Sequence, residues 1–159
     1  MEKKQQILVV DNDPAFITVV KELLSCNYEV VTASTKQEAW NKLRMEVSNL
    51  IIIGYLNPRG ESFKFHIEIR TNPLTVNTPL LIVDVRPEEH LRKGWTRDEG
   101  MQMDAEDYLS RPVSANELKK TIANILARQN DSPLELSGVL AQMEEALNRM
   151  DEIERFLVK

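Results

Sequence analysis

Short aliphatic runs alternate along the chain with segments whose apolar residues return every three or four positions. Ile7-Leu8-Val9-Val10 is a run of the kind buried on both faces of a parallel sheet. It ends in Asp11-Asn12-Asp13-Pro14, where Asp13 suits an N-cap and Pro14 a first helical position. Phe16, Val19, Val20, Leu23 and Leu24 then follow with helical spacing. Tyr28 to Ala33 predicts a second strand, and Thr35 with Glu38 forms a capping box for a helix with Ala39, Trp40 and Leu43 on its apolar face. Leu50-Ile51-Ile52-Ile53 predicts a third strand, Glu61 to Arg70 a third helix, and Leu80-Leu81-Ile82-Val83 a fourth strand. The polar stretch after it predicts a helix around Glu88 to Glu99. Asp107 to Leu109 reads as a short fifth strand. Ser114 and Glu117 cap a fifth helix that buries Leu118, Ile122, Ile125 and Leu126. Five strand–helix units in alternation predict an α/β fold, a doubly wound five-stranded parallel sheet with helices on both faces.

Gln129 to Pro133 has turn composition and breaks the pattern, so residues 1–129 read as one domain and residues 130–133 as a linker. Ser132, Pro133 and Glu135 restart a helix. Over residues 134–159, Val139, Met143, Ala146, Met150, Ile153 and Leu157 form an apolar seam with heptad spacing, widened by Leu140 and Leu147. This added C-terminal amphipathic helix either pairs as a coiled coil or packs back on its own domain. Because the preceding helices already spend their apolar faces on the sheet, the expectation is a homodimer through this seam, with docking to a protein partner as the other use.

The length of 159 residues fits one domain plus an appendage, and the 42% hydrophobic and 28% charged content is that of a globular protein. A formal charge of −5 gives no electrostatic reason to expect nucleic acid or an anionic membrane as partner. Cys26 is the sole cysteine, so an intramolecular disulfide is excluded. No apolar stretch approaches spanning length, and the run from Ile7 to Val10 is too short for a signal-peptide core. A cytoplasmic location is expected. His66 and His90 have no partner at metal-ligand spacing and read as ordinary helix or loop residues. Neither a resident metal nor a cofactor is expected.

The punctuation between the runs is more specific than their alternation. Ile7 to Pro14 resembles the first strand and acidic corner of bacterial response-regulator receiver domains, members of the flavodoxin-like folds. Tyr28 to Ala33, Glu38-Ala39-Trp40, Asn49 to Ile53, Pro58 with Gly60, Ile69-Arg70 and Pro79 to Val83 follow in that family's order. Asp107 to Leu118 resembles its signature across the fifth strand and helix. The resemblance spans residues 5–128 and implies a two-component signalling module.

It also implies what is missing. Receivers accept a phosphoryl group on an aspartate at the tip of the third strand, with a magnesium ion held by two acidic residues after the first strand. A hydroxyl residue ends the fourth strand, and a lysine before proline ends the fifth. Aligned on Pro58, the acceptor position is Gly54, which has no carboxylate to form an acyl phosphate. Asn12 replaces a metal-binding carboxylate beside Asp11, Asp84 replaces the hydroxyl residue, and Arg111 replaces the lysine. Asp11, Asp84 and Arg111 are expected to converge as an internal ion pair that holds the degenerate pocket shut. The resemblance therefore implies a non-enzymatic pseudo-receiver that works through protein contacts. The alternatives are an unconventional acceptor among Asp13, Asp84 and Glu61, a small-ligand pocket, or a fragment whose effector lies beyond Lys159. Tyr108 matches the aromatic residue that receivers rotate on phosphorylation, and with Trp95 it marks a possible interaction surface. Packing of Tyr108, and Trp95 covering the sheet edge, are the bland alternatives. The connection between the fourth and fifth strands is longer than the family usually has, which would reshape that side.

Overall fold

The computed structural model describes residues 4–128. The expected C-terminal helix and its seam lie outside that range. Strands β1 (Gln6–Val10), β2 (Glu29–Ala33), β3 (Leu50–Ile53), β4 (Leu80–Asp84) and β5 (Asp107–Ser110) form a single sheet in the order β2-β1-β3-β4-β5. Every pairing is parallel, with Ile7 opposite both Val30 and Leu50, and Ile52 opposite Leu81. Complete burial of β1, β3 and β4 explains why their sequences are continuous aliphatic runs, whereas the edge strand β2 mixes exposed and buried positions.

Two layers of side chains pack against the sheet. Alternate residues Ile7, Val9, Ile52 and Val83 face α1 (Pro14–Leu24) and α6 (Ala115–Arg128) through Val20, Leu24, Ile122 and Ile125. The other alternation, Leu8, Val10, Ile51, Ile53 and Ile82, faces α2 (Lys36–Met45) and α3 (Glu61–Thr71) through Ala39, Leu43, Phe65 and Ile69. Local chemistry sets the helix starts. Asp13 Oδ1 accepts from the Ala15 N–H, Thr35 Oγ1 from the Glu38 N–H, and Ser114 Oγ from the Glu117 N–H. The Glu38 carboxylate takes the Ser34 hydroxyl.

The expected helix over Glu88 to Glu99 is replaced by a 3-10 turn (Pro87–Glu89), α4 (His90–Lys93) and α5 (Arg97–Met101). Gly94 is extended between them, the Trp95 N–H donates to Asp84 Oδ2 rather than back to the Leu91 carbonyl, and Arg59 donates to the carbonyls of Leu91 and Gly94. Continuous helix would also lift Trp95 from the core, where it is 3% exposed beside Met103 and Ala105. The long β4–β5 connection thus builds core on the α3 side. Arg70 ties its far end down, donating to the carbonyls of Asp104 and Thr78 and pairing with Glu106. Among the described residues, no helix is long and apolar enough to cross a membrane.

Candidate functional site

Parallel strands bring their carboxyl ends together at one edge, and the strand order reverses between β1 and β3, the place where such sheets put their sites. Asp11 follows β1, Gly54 follows β3, Asp84 ends β4 and Arg111 follows β5. Asp11 is fully buried. Its Oδ1 accepts from the Asp13 N–H at 2.7 Å, and its Oδ2 accepts from the Tyr55 N–H at 2.8 Å and from Arg111 Nη2. Burial pushes the Asp11 carboxyl above its ordinary range, while Arg111 and the two amides pull it back. Arg111 also donates to the Val83 carbonyl at 3.2 Å and lies over the Phe16 ring, 3.9 Å from its centre. The guanidinium is held by a carboxylate, a carbonyl and an aromatic face together.

Gly54 sits directly under this pair. Its N–H donates to the Val10 carbonyl at 2.8 Å and its carbonyl accepts from Ser62 Oγ at 2.7 Å. Ser62 Oγ in turn accepts from the Leu56 N–H, so the turn after β3 is closed by bonds on both sides. A Cβ at Gly54 would lie 1.8 Å from Asp11 Oδ2 and 2.6 Å from Arg111 Nη2. The volume where a side chain would begin belongs to the ion pair. Asn12 is exposed beside it, with its N–H on the Tyr55 carbonyl at 2.7 Å.

Asp84 takes a different course from the expected three-way cluster. Its Oδ1 accepts from the Val85 N–H at 2.8 Å, and its Oδ2 accepts from the Trp95 N–H at 3.2 Å and the Tyr108 hydroxyl at 2.6 Å. The expected convergence therefore holds for Asp11 with Arg111 and not for Asp84, whose carboxylate is drawn to the β4–β5 connection. The expectation of an interaction surface at Tyr108 and Trp95 is corrected in the same place. Tyr108 is 0% exposed and Trp95 3%, because the carboxylate holds the one by its hydroxyl and the other by its amide. His90 was missed by sequence reasoning. It is fully buried under Gly94, with Nε2 3.4 Å from Asp84 Oδ2. It lies in a stretch with no apolar periodicity, and Gly94 four residues later is the only local sign that something packs closely there. His66 is likewise buried. Its Nε2 accepts from the Asp104 N–H at 2.7 Å, and desolvation, aided by Arg70, lowers its pKa from 6.5 to about 4.

The remaining acidic residues named as alternative acceptors have structural partners. Asp13 caps α1, and Glu61 is shared between Lys36 and Lys64, each at 3.5 Å. Among the described residues no group of three or more His, Cys, Asp and Glu side chains is placed to hold a metal ion. The seam residues Val139, Met143, Ala146, Met150, Ile153 and Leu157 are outside the described residues.

Comparison with known proteins places this geometry in context. The response regulator receiver domain family matches residues 7–123. The alkaline phosphatase synthesis transcriptional regulatory protein PhoP of Bacillus subtilis is 30% identical over 129 residues, covering 80% of this chain and 50% of that protein. The hybrid signal transduction histidine kinase D of Dictyostelium discoideum is 27% identical over 153 residues, covering 94% of this chain and 10% of that protein. The chain thus spans half or less of these two relatives. Among solved structures, the chemotaxis response regulator CheY4 of Vibrio cholerae superposes with a TM-score of 0.64 at 25% identity, over 77% of this chain and 99% of that one.

Proposed function

This chain belongs to the response regulator receiver family, and from that membership we propose that it is a phosphorylation-independent receiver, a signalling module that acts through protein contacts. The observation that carries the reading is the occupied space over Gly54. The position that aligns with the family's acceptor has no carboxylate, and a side chain there would collide with Asp11 and Arg111. Acyl-phosphate chemistry needs a nucleophile with an open line of attack, and here the line is closed by a buried ion pair.

The magnesium that the family uses does not fit these residues. The carboxylate that would hold it, Asp11, already faces the guanidinium of Arg111 and two backbone N–H groups. A divalent cation would have to displace a fixed positive charge. Asn12 supplies only a neutral oxygen where the family has a second carboxylate. Asp13, Asp84 and Glu61 are weak replacements as acceptors, since each is engaged in a cap, a buried network or ion pairs. With Tyr108 held inside by Asp84, the α4–β5 side has a fixed form, which suits a binding surface that is always presented. The other half of the proposal concerns residues 132–159, whose apolar seam would pair two copies or dock to a protein partner.

Amide chemical shifts of the full chain, recorded while magnesium and acetyl phosphate are added, test the reading. The expected outcome is that Asp11, Asn12, Gly54 and Tyr55 do not move. Saturable shifts at these amides that require both reagents would overturn it.

A further inference from the structure

At the opposite end of the sheet from the acceptor position lies a groove of about 350 Å³ whose walls include Gln5, Val47, Pro73, Leu74, Pro79 and Leu126. Among the described residues that line it, none is charged. Val47 is 63% exposed and Leu74 48%, while Met45 and Val76, their near neighbours in sequence, are 84% and 40% exposed. Half of the large exposed hydrophobic residues of the described chain are therefore in two short segments, Met45 to Val47 and Leu74 to Val76, of which Val47 and Leu74 line this groove. Single exposed apolar residues are ordinary, but a cluster rimming a concave neutral surface marks a place where something packs.

We propose that this groove seats the first apolar residue of the chain's own C-terminal segment, Leu134, and so fixes the direction in which that segment leaves the domain. The end of α6 argues for this occupant. Leu126 is part of the groove wall and α6 ends at Arg128, so the chain leaves the described fold beside the groove. Leu134 follows six positions later, and six residues span at most roughly 20 Å, enough to double back and little more. A tethered segment also meets the groove at an effective concentration on the order of millimolar, which no free partner matches without contacts of its own. The chemistry fits. The segment from Gln129 to Leu140 carries only Asp131 and Glu135 as charges, and the groove offers amide and hydroxyl groups from Gln5, Asn49 and Thr78 around its apolar walls. Seating Leu134 leaves Val139 to Leu157 available for the seam. The inference concerns the far end of the sheet and is independent of the acceptor reading.

The test uses the full chain with labelled methyl groups. Contacts are expected between the methyls of Leu134 and those of Val47, Leu74 or Leu126. In Leu74→Asp, a change at a half-exposed position, these contacts should vanish. The amides of residues 132–138 should then exchange about tenfold faster while those of β1 and β3 keep their rates. Mixing differently labelled chains separates the sources, since contacts seen only between chains would put a second copy in the groove and overturn the proposal. So would the absence of contacts in the unmodified chain, or tail exchange unchanged by Leu74→Asp.

Discussion

A methyl group added at Gly54 meets Asp11 Oδ2 at 1.8 Å, and that oxygen is already pinned by the Tyr55 amide and Arg111. Gly54→Ala must therefore break or bend bonds around a buried carboxylate, and is expected to cost about 1–3 kcal/mol in urea unfolding. Arg111→Ala leaves that carboxylate buried without its cation and is expected to cost more, about 3–5 kcal/mol. The double variant should cost less than the sum of the two, because one of the colliding groups is gone. Strict additivity would mean that Gly54 and Arg111 do not share the volume. His66 offers a separate test through pH. Its folded pKa of about 4 lies below the ordinary 6.5, so its contribution to stability is complete above 6.5 and drains away as pH falls towards 4. Near pH 5 the loss should be roughly 2 kcal/mol. Glu106, whose buried carboxyl is raised, works in the opposite sense, so the comparison is between the unmodified chain and His66→Gln. The variant's stability should fall less steeply over that range, and equal slopes would contradict the assignment.

At the level of elements, the Asp84 carboxylate is what joins β4 to the connection that follows it. It accepts from Val85 and Trp95 amides and from the Tyr108 hydroxyl, all buried. Asp84→Ala should destabilise the protein by about 2–4 kcal/mol and speed exchange of the Trp95 amide more than that of β1 or β3 amides. Equal acceleration everywhere would mean that the network has no local role. This network also marks the border of what could be read from the sequence. The strands were legible because burial on both faces forces aliphatic runs such as Leu50 to Ile53 and Leu80 to Val83. Helix starts were legible because Asp13, Thr35 and Ser114 act on amides two or three residues away. The pairing of Asp11 with Arg111 could be foreseen from two charges delivered to the same end of a parallel sheet. The turn of Asp84 away from Arg111 could not, since its partners Trp95 and Tyr108 lie 11 and 24 residues on. In residues 85–106 only Gly94 hints locally that His90 is core. The same blind spot broke the expected helix over Glu88 to Glu99, where Asp84 takes the Trp95 N–H and Arg59, remote in sequence, holds the carbonyls of Leu91 and Gly94.

For the whole molecule, the proposal is of a receiver whose phosphoryl site is filled from within and whose assembly is set by the residues after α6. Light scattering of the full chain should find a dimer, and Met150→Asp together with Ile153→Asp should give a monomer with the sheet intact. A full chain that is monomeric at high concentration would leave only the partner-docking form of the proposal. The most direct measurement is the intact mass of the protein after incubation with acetyl phosphate and magnesium, alongside a receiver that retains its acceptor aspartate and serves as the positive control. The account predicts phosphoryl mass on the control and none on this chain. A stable phosphoryl adduct mapped to Asp11, Asp13 or Asp84 would contradict it.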